Sequence, residues 1–321
     1  MITRRHALAL AALSGLALRS MPAFAAEKLR IGKAIGSSFP FSGADLAKEK
    51  GIFASFGIDP EISTFRGDGQ LQQALAAGTI DVGFGSGPSM GYAAKGVPAI
   101  AVAAMASEPR NMSLVVMKDG PIKTVDDLKG KLVGVTTAGS LTDWLTRRLA
   151  ESKGWGADGI EVTPMGEMRT RLAAMKSGEL AGSVNSIEEA YNLVENGEGR
   201  LLTTFGDTVP HFHTHVIFAH RDMIKNRPEL LRTFLKAWFT TAKFMKDNRA
   251  ETVKIIAATM HLPEPIIDRS YDYELQMLSM DGAFDPQAIE IIRKSLKDLD
   301  ILDRVPDASE LTQPGFAPVK L

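Results

Sequence analysis

The chain has no cysteine among its 321 residues, which excludes disulfide staples, thiolate metal sites and the lipidated cysteine that tethers many exported bacterial proteins. It has almost no net charge, with 37 basic against 38 acidic residues. That balance leaves no electrostatic footprint for nucleic acid or an acidic membrane surface. Aromatic residues are sparse at 7%. Beyond the first residues there is no long apolar run, low-complexity tract or block of like charge, so no membrane span is expected there.

The first residues differ. Thr3-Arg4-Arg5 precedes an apolar stretch from Ala7 to Leu18, and Ala23-Phe24-Ala25 offers a small-x-small cleavage site. Residues 1–25 therefore read as a removed export signal, whose apolar stretch is too short to span a bilayer and is closed by Arg19. Thr3-Arg4-Arg5-His6-Ala7-Leu8 partly matches a twin-arginine signal, and an ordinary secretory signal fits equally. The mature chain is expected free and soluble in the periplasm.

The chain also states one structural unit twice. Ala74 to Ser86 aligns in residue type with Ala174 to Ser186, each reading as helix, turn, short strand and small polar loop. Upstream, Ile31-Gly32 running to Ser38 parallels Val133-Gly134 running to Ser140. Two alike α/β units facing one another make a cleft.

Periodicity gives strands at Leu29–Gly32, Ile58–Phe65, Ile80–Phe84, Ala99–Ala104, Lys131–Val135 and Ile160–Thr163, with helices at 45–50, 69–77, 92–95, 142–152 and 168–176 between them. Alternation of this kind predicts an α/β fold of mainly parallel sheets. Thr124-Val125-Asp126-Asp127 has the form of a capped helix start. Pro228 opens a long helix with Leu231, Phe234, Leu235, Trp238, Ala242 and Met245 on one face. From about Ile224 onward the chain reads as helical, and a flank of the first unit is the economical place for that block.

Several segments resemble the solute-binding components of nitrate/sulfonate/taurine-type ABC importers. They are Leu29-Arg30-Ile31-Gly32, Ala47 to Phe53, Gly57-Ile58, Ala74 to Gly83, Lys118-Asp119-Gly120, Asp127-Leu128-Lys129-Gly130-Lys131 and the helix from Pro228. The resemblance implies a two-lobed periplasmic-binding-protein-like fold with the ligand cleft between lobes. It also implies a first lobe of residues 26–113 and 216–321, a second of 114–215, and delivery of a solute to an ABC permease in the inner membrane.

Ligands in open α/β sheets sit beyond the carboxyl ends of strands, where helices begin with free N–H groups. Four turns are expected to face the cleft: Ser37-Ser38-Phe39, Gly67-Asp68-Gly69-Gln70, Ser86-Gly87-Pro88-Ser89 and Thr137 to Thr142. Their glycines and hydroxyls donate hydrogen bonds without fixed charge, which suits a carboxylate or sulfonate. The resemblance places Gly139-Ser140 at the family's anion-gripping position. Phe39 is expected to stack on the solute, with Phe41 filling the base of the first lobe and Trp144 packed in the core. Of Arg66, Arg110 and Arg169, Arg169 at a helix start is the expected anion partner. The expected ligand contacts are thus Ser37, Ser38, Phe39, Gly69, Gln70, Ser86, Ser89, Gly139, Ser140, Thr142, Arg169, Asn185 and His213.

His211, His213 and His215 alternate, so on an extended segment they share a face. A zinc or copper site is one reading, and a hinge or cleft-rim role for His213 and His215 ranks ahead of it, with no metal expected. The chain departs from the family at Leu180-Ala181-Gly182, which lacks the usual aspartate, and at Asn185-Ser186-Ile187-Glu188-Glu189-Ala190, which has no proline. Asn185 there substitutes an amide for a charged contact. The function expected is capture of a small organic anion, a sulfonate or carboxylate with an apolar or aromatic body, by lobe closure in a monomer. No cofactor and no catalysis are expected. A dehydratase-like or pyrimidine-forming enzyme on the same scaffold, or a solute sensor, is the alternative.

Overall fold

The computed structural model describes residues 26–206 and 208–321; the expected signal over 1–25 lies outside them. In chain order the first part holds β1 (Glu27–Lys33), α1 (Phe39–Glu49), α2 (Ile52–Ser55), β2 (Ile58–Thr64), α3 (Asp68–Ala76), β3 (Val82–Ser86), α4 (Gly91–Ala94) and β4 (Ala99–Ala106). The middle part holds β5 (Met112–Met117), β6 (Leu132–Val135), α5 (Leu141–Ser152), β7 (Glu161–Pro164), α6 (Met168–Ser177), β8 (Gly182–Ser186), α7 (Ile187–Glu195) and β9 (Gly199–Thr204). The chain then returns through β10 (His215–His220) and α8 (Arg221–Asn226). The helices α9 (Pro228–Asp247), α10 (Arg249–Met260), α11 (Glu264–Met277), α12 (Pro286–Asp298) and α13 (Ala308–Leu311) follow.

Two five-stranded sheets result, ordered β2-β1-β3-β10-β4 and β7-β6-β8-β5-β9. In each, three strands run parallel and the other two join through antiparallel pairing. The sheets are therefore mixed, because the strands that follow the two crossovers, β5 and β10, enter each sheet against the direction of its parallel trio. The internal repeat is real in register. Ser38 and Ser140 are the N-caps of α1 and α5, and Ser86 and Ser186 end β3 and β8.

The crossovers lie side by side, with Thr214 N–H donating to the Ser107 carbonyl at 2.9 Å. Gly87, just past β3, lies under the second of them. A Cβ there would stand 2.0 Å from the His213 carbonyl oxygen, so backbone meets backbone and only glycine fits.

Helix α9 buries the whole expected face: Leu231, Phe234, Leu235, Trp238, Ala242 and Met245 are fully inaccessible. The Trp238 ring lies 4.5 Å from that of Phe84 on the first sheet, and each such buried side chain contributes about 1.5–3 kcal/mol. The terminal helices pack on the first lobe through α1 and α2, as expected, but α11 also reaches α7 of the second. The expected helix at Thr124 is a single 3₁₀ turn closed by a Thr124–Asp127 capping box. No helix among the described residues is long and apolar enough to cross a membrane.

Candidate functional site

The lobes meet in a closed arrangement. Gly69 N–H donates to Thr137 Oγ1 at 3.1 Å, and the Tyr92 hydroxyl donates to the Ala138 carbonyl at 2.9 Å, each bond joining one lobe to the other. Between the sheets lies a cavity of about 50 Å³, room for a few water-sized groups. Its walls include Ser37, Ser38, Phe41, Asp68, Ser86 and His215 from the first lobe, with Thr136, Thr142, Arg171, Asn185 and Glu189 from the second. Larger grooves open elsewhere, one of them along Met117, Lys131 and Glu198 on the second lobe. The cavity is singled out by its buried polar atoms that lack a partner: Ser37 Oγ, Ser38 Oγ, Asn111 Oδ1, Arg171 Nε and His215 Nδ1. Such atoms cost free energy in a folded protein, so their convergence marks a place built for a hydrogen-bonding guest.

The fold explains the convergence. Helices α1, α3, α5 and α7 all begin at this cavity, where Ser38, Asp68, Leu141 and Ser186 line it, and turn the positive ends of their dipoles toward it. Three carry a carboxylate in the first turn: Asp68 on α3, Asp143 on α5, and Glu188 with Glu189 on α7. Helix α1 has none, and its N-cap Ser38 makes no capping bond. Its positive end is therefore uncompensated within its own first turn.

Arg171, only 1% exposed, supplies the cationic side chain. Its Nη1 donates to Ser183 Oγ at 3.0 Å and to the Val184 carbonyl, leaving Nε free. Burial pulls its pKa down and pushes that of Glu189 up, so desolvation outweighs their mutual attraction. Burial likewise raises Asp68, opposed by bonds from Ser86 N–H at 2.8 Å and Ser86 Oγ at 2.9 Å. Raised carboxyls favour the neutral form, which donates an O–H instead of adding negative charge. His215, against Phe41 at 4.5 Å between ring centres, is pulled down to about 3 by burial and stays neutral.

Of the expected contacts, the structure brings Ser37, Ser38, Ser86, Thr142 and Asn185 to the cavity. Asn185 uses its amide within its own strand, donating to the Ser183 carbonyl at 3.0 Å. Ser140 stands just behind, in a hydroxyl cluster with Thr136 at 2.9 Å and Thr142 at 3.0 Å. Ser89 donates to the Ser86 carbonyl and Gln70 accepts from Arg66 N–H, both off the cavity wall. Gly69 bridges the lobes, and Gly139 donates its N–H to Asp143 at 2.7 Å. Phe39 points away, edge-on to Tyr271 at 6.2 Å, and Phe41 takes the wall instead. The helix begins at Phe39, earlier than the expected Asp45, and its turn sends residues 39 and 41 to different sides.

Arg169 is exposed on a groove of about 630 Å³ that shares Ser37 and Glu189 with the cavity. It stands at the cleft mouth, while Arg171, not anticipated from sequence, reaches inside. A signal existed, since Arg171 shares the apolar helix face of Ala174 and Met175. The three histidines do not share a face. His211, at φ 51°, pairs with Asp285 at 3.1 Å. His213 Nε2 accepts from Asp285 N–H at 3.0 Å, with its pKa lowered to about 4 by burial. His215 alone reaches the cavity. Trp144 is core, stacked on Phe212 at 4.5 Å and donating to Ser295 at 2.8 Å.

Two mixed sheets joined by paired crossovers, with helix N-termini converging on the gap between them, define the two-lobed periplasmic-binding-protein fold. Among solved structures, the alkanesulfonate-binding protein SsuA from Xanthomonas axonopodis pv. citri bound to MOPS matches with a TM-score of 0.75 at 19% identity, covering 88% of this chain and 95% of that one. A family model described as NMT1/THI5 like matches residues 39–252, and the chain belongs to that family. It is 26% identical over 271 residues to the "Putative aliphatic sulfonates-binding protein" of Escherichia coli K12, covering 82% of each chain. It is 25% identical over 210 residues to the "Putative thiamine biosynthesis protein" of Haemophilus influenzae, covering 65% of this chain and 66% of that one.

Proposed function

We propose that this chain is the solute-capturing component of an ABC importer, holding a small anion by closure of its lobes and handing it to an inner-membrane permease. The observation that carries the reading is the convergence of the uncompensated α1 N-terminus, the free Ser37 and Ser38 hydroxyls and the free Arg171 Nε on one interlobe cavity. Donors without a competing carboxylate on α1, joined by a desolvated guanidinium, suit a planar or tetrahedral oxyanion. The solute class proposed is a sulfonate or carboxylate. Its charged head fits the small cavity, and its body follows the groove past Met165, Met168 and Leu262. The sulfonate-binding relative supports this class. Export to the periplasm, action as a monomer and binding without turnover belong to the same proposal. So does the division into 26–113 with 216–321 and 114–215, which is consistent with β4 ending at Ala106 and β10 beginning at His215.

A thermal-shift screen of alkyl and aryl sulfonates, carboxylates, nitrate and pyrimidines tests the reading. At a hundred times its dissociation constant the solute adds about 2.7 kcal/mol of stability, which for a chain of this size is a rise of roughly 5 °C. A selective rise with sulfonates or carboxylates is expected. A rise confined to pyrimidines, or conversion of the bound compound, would turn the reading toward the thiamine-named relative.

Closure makes a smaller prediction. Tyr92→Phe removes the hydroxyl that bridges to Ala138, a bond made only when the lobes meet. One hydrogen bond contributes about 0.5–1.5 kcal/mol, so the solute is expected to bind roughly two- to tenfold more weakly by calorimetric titration. Wild-type affinity would remove this bond from the closure mechanism.

A further inference from the structure

Outside the cavity wall, one group of buried side chains has no balancing charge. Glu188 opens α7 on the second lobe, and Glu274 lies on α11, which packs on the first. They are 0% and 1% exposed, and none of their four carboxylate oxygens accepts a well-formed hydrogen bond. Each is the other's neighbour, the remaining polar groups being Ser186, Ser270 and Asn111.

The charged groups around them are engaged elsewhere. On α7, Glu189 faces Arg171, and Tyr191 is covered by the Arg269 guanidinium at 3.8 Å. Arg269 on α11 pairs with Glu195 at 3.6 Å, while Asp268 and Asp272 pair with Arg249 at 2.7 and 3.0 Å. Tyr273 is exposed, and Arg110 before β5 is exposed on the outer groove that Tyr273 also lines. On β9, Arg200 donates to the carbonyls of Ile122 and Lys123. No cation faces the pair among the described residues.

Two ionised carboxylates cannot remain buried together without compensation. Ser186, Ser270 and Asn111 offset burial only in part, and a proton held between the two carboxyls removes one charge and supplies a donor to the other. We propose that Glu188 and Glu274 are a proton-holding latch between the lobes: closing buries the pair with one shared proton, so closure takes up a proton that opening releases. Asn111 links latch and site. It lines the cavity, its side chain neighbours Glu274, and its carbonyl accepts from Ile187 N–H at 2.7 Å at the start of α7.

The direction follows from burial, which pushes both carboxyls above their ordinary value in the closed form. A carboxyl raised on closing favours the closed form at low pH, and that advantage is lost as pH rises toward the closed-form value. With one proton taken up, the closed-to-open ratio falls by up to about tenfold per pH unit between the open-form and closed-form values.

The proposal rests on lobe closure but not on which solute is bound, and its test uses none. Because the chain lacks cysteine, single cysteines at exposed Glu49 and Glu179 accept spin labels uniquely, one on each lobe. The interlobe distance distribution from pH 5 to pH 8 should lose its short component as pH rises. Glu274→Gln, which keeps the shape and supplies a permanent N–H, should stay closed throughout, and Glu188→Gln provides the reciprocal case. A flat profile in the chain bearing only the labels overturns the latch whether or not either glutamine variant folds. An unchanged pH slope in a folded glutamine variant overturns it too, as does closure that follows added Mg²⁺ or Ca²⁺ instead of pH. None of these outcomes bears on the anion screen, so the latch and the solute assignment fail separately.

Discussion

Replacing Arg171 by methionine is expected to weaken solute binding by at least about thirtyfold while leaving the fold in place. Truncating one partner of a buried, hydrogen-bonded charge pair typically costs 2–5 kcal/mol, and Arg171 is the cationic side chain among the cavity walls. Stability should change little for two reasons. Methionine nearly fills the guanidinium's apolar stem volume, and burial already opposes the arginine's charge. Glu189, relieved of its partner, has a raised pKa and can take a proton. Arg171→Lys should fall between, since a point charge replaces the planar fork. Circular dichroism and calorimetric titration on the same samples check both halves. A folded methionine variant that binds within threefold of wild type would remove Arg171 from the site.

The second large effect concerns closure. Gly67 adopts φ 131° and ψ 168°, a region essentially reserved for glycine and costing other residues about 1–3 kcal/mol. It also faces the other lobe. A Cβ there would lie 2.6 Å from Thr137 Cγ2 and 2.9 Å from its Oγ1. Gly67→Ala should therefore lower the melting temperature and, by wedging the cleft, weaken the solute by about tenfold or more. The two consequences separate in the double variant Gly67→Ala with Thr137→Ala. Removing Cγ2 and Oγ1 clears the closest contacts but also removes the acceptor of the Gly69 N–H, so affinity should recover only in part, short of wild type by the roughly two- to tenfold that one interlobe bond contributes, while the backbone strain keeps the melting temperature low. A double variant that binds no better than Gly67→Ala would show that strain within the first lobe, not contact between lobes, controls affinity.

Much of this arrangement was legible in the sequence because it is local. Ser38 with Ser140 and Ser86 with Ser186 repeat since each caps or ends the same element in its own lobe, and residue types near a turn report that directly. The α9 face was readable from 3.6-residue spacing, and all six of its expected residues are buried. Strands β5 and β9 were not read as strands. Met112–Met117 is an almost unbroken apolar run without alternation, and its place beside β8 depends on the crossover.

The site divides similarly. Hydroxyls at strand ends could be placed because strand ends face the cleft. Arg169 against Arg171, and Phe39 against Phe41, turn on helical phase over two residues, which a boundary error of a few residues reverses. The partnership of Glu188 with Glu274 joins helices nearly ninety positions apart and left no local trace.

The most direct measurement is a crystal structure of the chain with the strongest compound from the anion screen. The account predicts the charged head between the lobes, within hydrogen-bonding distance of Ser38 and Arg171 together, with Gly69 still bonded to Thr137 across the closed cleft. A compound held in the groove of Met117 and Lys131, or one touching a single lobe with Arg171 uninvolved, would contradict it.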